Sequence, residues 1–367
     1  MTLILSGSDG VTFPDSTEQE TGYANGIGFR NRIINGDMRI DQRNAGVSVT
    51  PTATAYTLDR WQATVSASSK FSVQQNAGSV TPPVGLTKYL GCTSLSAYSV
   101  GVDDYFMMRQ AIEGFNIADL GWGTANAQPV TISFRVYSSL TGTFGGAIEN
   151  NASNRSYPFS YTVSASNTWE TKTVTIAGDT AGTWETNNGI GLILAFGLGV
   201  GTTYSGTAGA WGSTRYFSAT GAVSVVGTSG ATFYITGVQL EVGSVATPFE
   251  RRPYGTELSL CQRYYQRISG FMCSTGTSGL TGCASSIMFK TEMRTSPSVG
   301  LTAVLTVTQV NTNDYAQTSA DVSIAGSGAR VTTLGVNPSF TNFPTLPSNC
   351  PLPSLVNSGV LTLSAEL

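Results

Sequence analysis

The chain has 367 residues and not one histidine. Ser-His-Asp and Cys-His relays are therefore impossible. No Gly-x-Ser-x-Gly turn occurs, and no phosphate-cradling glycine loop leads into a helix. Gly191–Gly201 (GLILAFGLGVG) is rich in glycine, but its apolar run reads as a strand. What remains for catalysis is carboxylates: Asp103, Asp104, Glu113, Asp314 and Asp321. Glycoside cleavage needs two of them held about 5–9.5 Å apart. A parallel β-helix, a common scaffold for that reaction, would show periodic self-similarity, and none is seen. The chain is not expected to be an enzyme. Five cysteines (Cys92, Cys261, Cys273, Cys283, Cys350) include no CxxC pair, so reduced, mostly buried thiols are expected and zinc is not. No cofactor is expected.

Binding finds more foothold. Aromatic faces stack on sugar rings, and amides and hydroxyls around them fix orientation. Trp122, Trp169, Trp184, Tyr204 and Trp211 are candidates in the long amino-terminal part, each weighed against a place in the core or between copies. Near the carboxyl end the candidate receptor contacts are Asn311, Asn313, Asp314, Tyr315, Phe340, Asn342 and Phe343. Net charge is −3 and no basic cluster exists beyond Arg251–Arg252, so nucleic acid is not an expected partner. No apolar stretch approaches the ~20 residues of a membrane span, and MTLILSGSDG lacks a basic leader.

The elements that must carry these groups are strands. Charged residues make up 11% of the chain, glycines number 42, and apolar residues still reach 40%. Few charges, many tight-turn residues and short apolar runs describe an all-β protein. Runs at Arg32–Asp41, Lys70–Gln75, Tyr105–Ile112, Val130–Val136, Thr171–Ile176, Gly189–Leu198 and Phe233–Glu241 are expected strands, with loops at Pro82-Pro83 and Gly142–Gly146. Along the last run, Phe233, Ile235, Gly237 and Gln239 share one face. From Thr256 the period becomes helical. Thr256 caps, Glu257 suits the positive end, and Arg263 and Arg267 suit the negative end. About 11 residues of helix are marginal alone. With loops as its neighbours, the helix is expected to use Leu258, Cys261 and Tyr265 against other copies on a trimer axis.

Gly237–Arg267 (GVQLEVGSVATPFERRPYGTELSLCQRYYQR) resembles a segment found in bacteriophage tail-fibre and receptor-binding proteins. Gly10–Thr17 (GVTFPDST) and Phe289–Val299 (FKTEMRTSPSV) resemble the opening hairpin and the tip element of the same family. The Asn35-Gly36-Asp37 strand and the closing Phe233–Glu241 strand resemble carbohydrate-binding jelly rolls. The resemblance implies a hairpin over 1–25 that attaches to the virion. It further implies a jelly-roll β-sandwich over 26–250, a linker with a short trimer-axis helix over 251–267, and a smaller distal β-domain over 268–367. It implies a homotrimeric adhesin in the virion's tail fibre, assembled in the host cytoplasm, the alternatives being a virion structural or decoration component without receptor binding and a polysaccharide depolymerase. Its partners would be itself, other tail or adaptor proteins, and a host-surface glycan. Such jelly rolls often hold calcium near the chain ends, where Asp37 and Glu241 would be ligands. The closing strand has Ile235-Thr236-Gly237-Val238 where those modules show Ile-Asp-Asp-Val, so no metal is expected.

Overall fold

The computed structural model describes residues 29–269, 286–300 and 360–367 with their side chains, together with Thr332, Leu334, Gly335 and the backbone of several further strands. The chain folds as an all-β protein with one α-helix among the described residues. Near the amino end Ile4–Ser6, Gly10–Thr12 and Glu18–Gln19 pair antiparallel.

The main body is a jelly-roll-like sandwich. Its strands are β1 (Ala55–Leu58), β2 (Trp61–Val65), β3 (Phe71–Gln75), β4 (Leu90–Ser94), β5 (Tyr105–Glu113), β6 (Val130–Ser138), β7 (Gly142–Glu149), β8 (Ser156–Val163), β9 (Glu170–Ile176), β10 (Ile190–Val200) and β11 (Thr232–Val242). A six-stranded sheet runs β8-β7-β10-β5-β2-β1, and a five-stranded sheet runs β9-β6-β11-β4-β3. Alternate residues point inward. Trp61, Phe71, Phe106, Phe134, Phe144, Phe196 and Phe233 fill the space between the sheets. Phe134 meets Phe196 and Tyr161 edge-on at 5.0 and 4.9 Å.

Three expectations need correction. Arg32–Asp41 is not a strand. Asn35 and Met38 take positive φ, and the Asn35 amide bonds the Ile40 N–H and carbonyl, which folds the segment back on itself. Gly142–Gly146 is not a loop but the start of β7. A Cβ on Gly146 would stand 2.4 Å from the Ala195 carbonyl and from Phe159, so glycine there permits close approach instead of a turn. In β11 the register shifts between Thr236 and Gln239, around Gly237 at φ 59°. That bulge puts Val238 and Leu240 in the core with Phe233 and Ile235, and turns Gln239 out of the core face.

Helix α1 spans Tyr254–Gln262, with Pro253 at its cap, so Thr256 lies inside it. Its apolar side packs within its own chain. Cys261 and Tyr264 are buried against Ile34 and Ile40, with Leu258, Leu260 and Leu367 beside them, and Tyr265 is buried as well. Cys261 and Tyr265 are thus buried inside one subunit, and Leu258 is half-buried beside them. The folded-back 31–40 segment supplies the partner that the sequence reading assigned to a second copy.

Strand β12 (Tyr265–Ile268) follows at once and pairs with β14 (Leu361–Ser364), which also pairs with β13 (Ser298–Leu301). The carboxyl end therefore returns to the helix. Glu366 is clamped by Arg43 at 2.6 Å and by the buried Arg60. Arg294 donates to the Ala365 and Glu366 carbonyls at 2.9 and 3.0 Å. Within 251–267 the helix and the start of β12 pack between the sandwich and the last strand. In the carboxyl-terminal part, backbone strands run Gln317–Ser319, Leu305–Gln309, Ser354–Ser358, Met272–Thr275, Cys283–Ala284, Ser339–Thr341 and Asp321–Ser323 in one sheet.

Candidate functional site

Of the acids considered for catalysis, Glu113, Asp104 and Asp103 each hold hydrogen bonds within the fold. Glu113 accepts from Arg263 at 2.6 and 2.9 Å and from the Tyr264 hydroxyl at 2.6 Å. Burial works to raise its pKa, but these bonds outweigh it and hold the group below the usual glutamate value. Asp104 is lowered mainly by the Gly101 N–H, with Ser66 and Tyr98 hydroxyls adding to it. Asp103 accepts from Thr203 at 2.6 Å. The Asp314 position and the Asp321 side chain lie outside the described residues. Of the calcium candidates, Asp37 pairs with Arg39, and Glu241 accepts from the Thr247 hydroxyl at 2.6 Å. Cys92 and Cys261 are buried free thiols, and burial raises both pKa values.

The candidate receptor residues Asn311, Asn313, Asp314, Tyr315, Asn342 and Phe343 also lie outside the described residues. Phe340 is placed only by backbone, on Ser339–Thr341 between Cys283 and Val322. The sandwich aromatics divide into three groups. Trp122, Trp184 and Trp211 pack on one another at 4.6–5.5 Å, and each indole N–H donates to a backbone carbonyl. They close one end of the core. Tyr204 stacks on Phe217 at 5.0 Å over Tyr105 and covers part of the six-stranded sheet.

Trp169 is different. It sits beside the outer face of the five-stranded sheet, half-buried, with Tyr137, Tyr234 and Tyr89. Tyr137 of β6 and Tyr234 of β11 are directly opposite in register and stack nearly parallel, 5.3 Å apart with a 5° tilt. Trp169 meets Tyr137 at 5.4 Å and Tyr89 at 5.5 Å, and its N–H donates to the Thr81 carbonyl at 2.9 Å. Tyr89 is fixed by donating to the Ala77 carbonyl at 2.5 Å. Two rings are buried and serve as backing, while Trp169 and Tyr137 keep accessible surface. The same outer face carries Ser133 and Arg135 of β6, and Arg135 stands opposite the exposed Thr171 of β9. The Arg135 guanidinium has no partner among the described residues. Thr173 and Thr175 continue the exposed row of hydroxyls. Rigid rings beside unused donors and hydroxyls can stack on a sugar and bond its hydroxyls.

Of this group only Trp169 was named from sequence. The alternation in Thr131–Ser138 (TISFRVYS) already puts Ser133, Arg135 and Tyr137 on the face opposite Ile132, Phe134 and Val136. What the alternation leaves out is that β11 and β9 flank this strand.

No family model and no curated protein sequence matches the chain. Among solved structures it is similar to the enzymatically active domain of tailspike protein 4 from bacteriophage CBA120, at 9% identity and a TM-score of 0.33. That match covers 58% of this chain and 22% of the other, so the chain spans under a quarter of the tailspike's length. It is also similar to the module TmCBM61, solved with β-1,4-galactotriose, at 9% identity and a TM-score of 0.31, over 59% of this chain and all of that one. A third is the family 11 carbohydrate-binding module from Clostridium thermocellum, at 12% identity and a TM-score of 0.27, over 53% and 97%.

Proposed function

We propose that the chain is a glycan-binding adhesin of a bacteriophage tail fibre, held in the virion as a homotrimer and acting by contact, without catalysis. The observation that carries the binding part is the platform of Trp169 and Tyr137, backed by two buried tyrosines and flanked by Arg135 and Thr171. Preordered rings lose little freedom when a sugar docks, which favours binding by a shallow face. A single face of this kind is weak. Several copies on one particle raise avidity by about 10²–10⁴ when the geometry allows simultaneous contact. The phage assignment and the trimer rest on the resemblance of Gly237–Arg267 and of the opening hairpin. With α1 packed in its own subunit, the trimer contact is assigned to surfaces other than Leu258, Cys261 and Tyr265.

The test is adsorption to host cells and titration with purified host-surface polysaccharide, comparing the native chain with Trp169→Ala and Tyr137→Ala. Loss of about 1–3 kcal/mol of binding per ring removed is expected, the range for stacked rings on ring-shaped ligands. Unchanged binding by both variants would move the receptor site off this face. Light scattering on the purified chain tests the trimer, and a monomeric mass would refute it.

A further inference from the structure

We propose that the outer face of the six-stranded sheet holds a second, acidic-sugar site, in which Arg109 and Arg215 receive the carboxylate of a hexuronate residue. This proposal does not rest on the aromatic face.

One cross-strand row builds the site. Pro158, Ala147, Ala195, Arg109, Gln62 and Tyr56 stand opposite one another in register, across all six strands. Ala147 and Ala195 are small, so the long side chain from the neighbouring strand can lie flat over the sheet. Arg109 does so. Its Nε donates to the Gln62 side-chain oxygen at 2.6 Å, which fixes the guanidinium plane. Glu149, almost fully buried, lies in the next row on β7. Arg215 reaches it from the 207–217 loop, with Nε at 2.8 Å and Nη2 at 3.4 Å.

Glu149 is therefore satisfied by Arg215, and Arg109 is only a distant neighbour, Nη1 standing 4.0 Å from the same oxygen. The terminal nitrogens of Arg109 make no hydrogen bond among the described residues. Two cations share one anion, which leaves a surplus charge of one on a chain whose net charge is −3. The other carboxylate at this end of the face, Glu366, is already held by Arg43 and Arg60. Desolvation pulls the Arg109 pKa below its usual value, in keeping with a cation short of counter-charge.

Arginine presents a planar fork that matches a carboxylate edge to edge. Arg109 keeps its terminal nitrogens for an incoming carboxylate, and Arg215, bonded to Glu149 through Nε and Nη2, adds its charge and its remaining nitrogen beside it. Gln62 then offers its amide N–H₂ and the Tyr56 ring forms the far wall, its hydroxyl already donating to the Leu367 carbonyl at 2.7 Å. A carboxylate on a pyranose fits the surplus and the donors, and a neutral sugar leaves Arg109 unpaired.

Calorimetric titration of the full chain with a galacturonate trisaccharide and with its carboxyl-reduced galactose counterpart decides the matter. The acidic sugar is expected to bind at least about tenfold more tightly, and added salt to narrow the difference. Arg109→Gln should lose about tenfold toward the acidic sugar. Arg109→Lys should recover only part, since an ammonium lacks the fork. Trp169→Ala should keep the preference for the acidic over the neutral sugar, which separates this site from the aromatic face. Equal affinity for the two sugars, no binding of the acidic one, or native affinity in Arg109→Gln would overturn the proposal. Should Arg109→Gln fail to fold by thermal melting, Gln62→Ala, which frees the Arg109 Nε and leaves the Arg215–Glu149 pair intact, should likewise weaken binding of the acidic sugar, and native affinity there would overturn the proposal.

Discussion

Replacing Tyr264 by phenylalanine tests whether the helix clasp belongs to one subunit. The Tyr264 hydroxyl donates to Glu113 at 2.6 Å in a buried setting, and its ring lies 3.6 Å under the Arg60 guanidinium. Phenylalanine keeps the ring, its stacking and its packing on Ile34 and Ile40, and removes only the hydroxyl. Glu113 still holds both bonds from Arg263, so no bare charge is left behind. The loss is one hydrogen bond to an ionised group, about 1.5–3 kcal/mol. For a body of this size each kcal/mol moves the melting temperature by about 2–4 °C. A drop of about 3–12 °C is expected by circular dichroism. Tyr254→Phe, at an exposed ring, should stay within about 1 °C. The melts should be run across a hundredfold range of protein concentration. A contact made between copies would make the drop vary with concentration, and a contact inside one chain would not. A Tyr264→Phe melt equal to the native one, or a drop that disappears at high concentration, would refute the clasp.

Asp59 is buried, and desolvation raises its carboxyl pKa to about 6 despite Arg43 and the bonds from Gln42. A native value above the unfolded one means the folded chain holds the extra proton, so this group's contribution to stability falls as pH rises from about 4 to 6. Carbon-13 NMR of the Asp59 carboxyl should show a midpoint near pH 6, and a midpoint at or below 4 would contradict the burial. Gly146→Ala should cost about 1–3 kcal/mol in urea melts, because its Cβ meets the Ala195 carbonyl and Phe159; an unchanged midpoint would argue against that approach. Chelation by EDTA should leave the melting temperature unchanged, since Asp37 and Glu241 are bonded to Arg39 and Thr247; a fall would reopen a metal role.

The strands with clean alternation or long apolar runs were legible from the chain alone. Val130–Ser138 and Ile190–Val200 emerge within a residue or two of where the pattern ends. Two kinds of feature were not. Glycine was read as a turn residue in Gly142–Gly146, where its use is the absence of a side chain beneath Phe159 and Ala195. Composition alone does not separate those uses, because both need glycine for different reasons. The second kind is non-local. Nothing near α1 in sequence can pack against it, yet Ile34 and Ile40 arrive from more than 200 residues away. The aromatic platform is hidden for the same reason. Tyr137, Trp169 and Tyr234 are unremarkable singly and form a face only when β6, β9 and β11 become neighbours.

Where charge is scarce, each ion pair carries information about placement. The sandwich core is apolar and aromatic, and it needs no charges to close. Several of the pairs join distant segments instead: Glu366 with Arg43 and Arg60, and Glu113 with Arg263. Burying one partner of such a pair without the other is costly, so these pairs fix which segments dock and in what register. The same logic singles out the exceptions. Arg135 has no partner among the described residues, and Arg109 has only a 4.0 Å neighbour that Arg215 already satisfies. Each of these two guanidinium groups lies on the outer face of a different sheet, half-buried and beside hydroxyls or amides. Arg135 lacks a counter-charge among the described residues and Arg109 shares one with Arg215, so on the binding readings proposed above a ligand supplies the acceptors that both still lack.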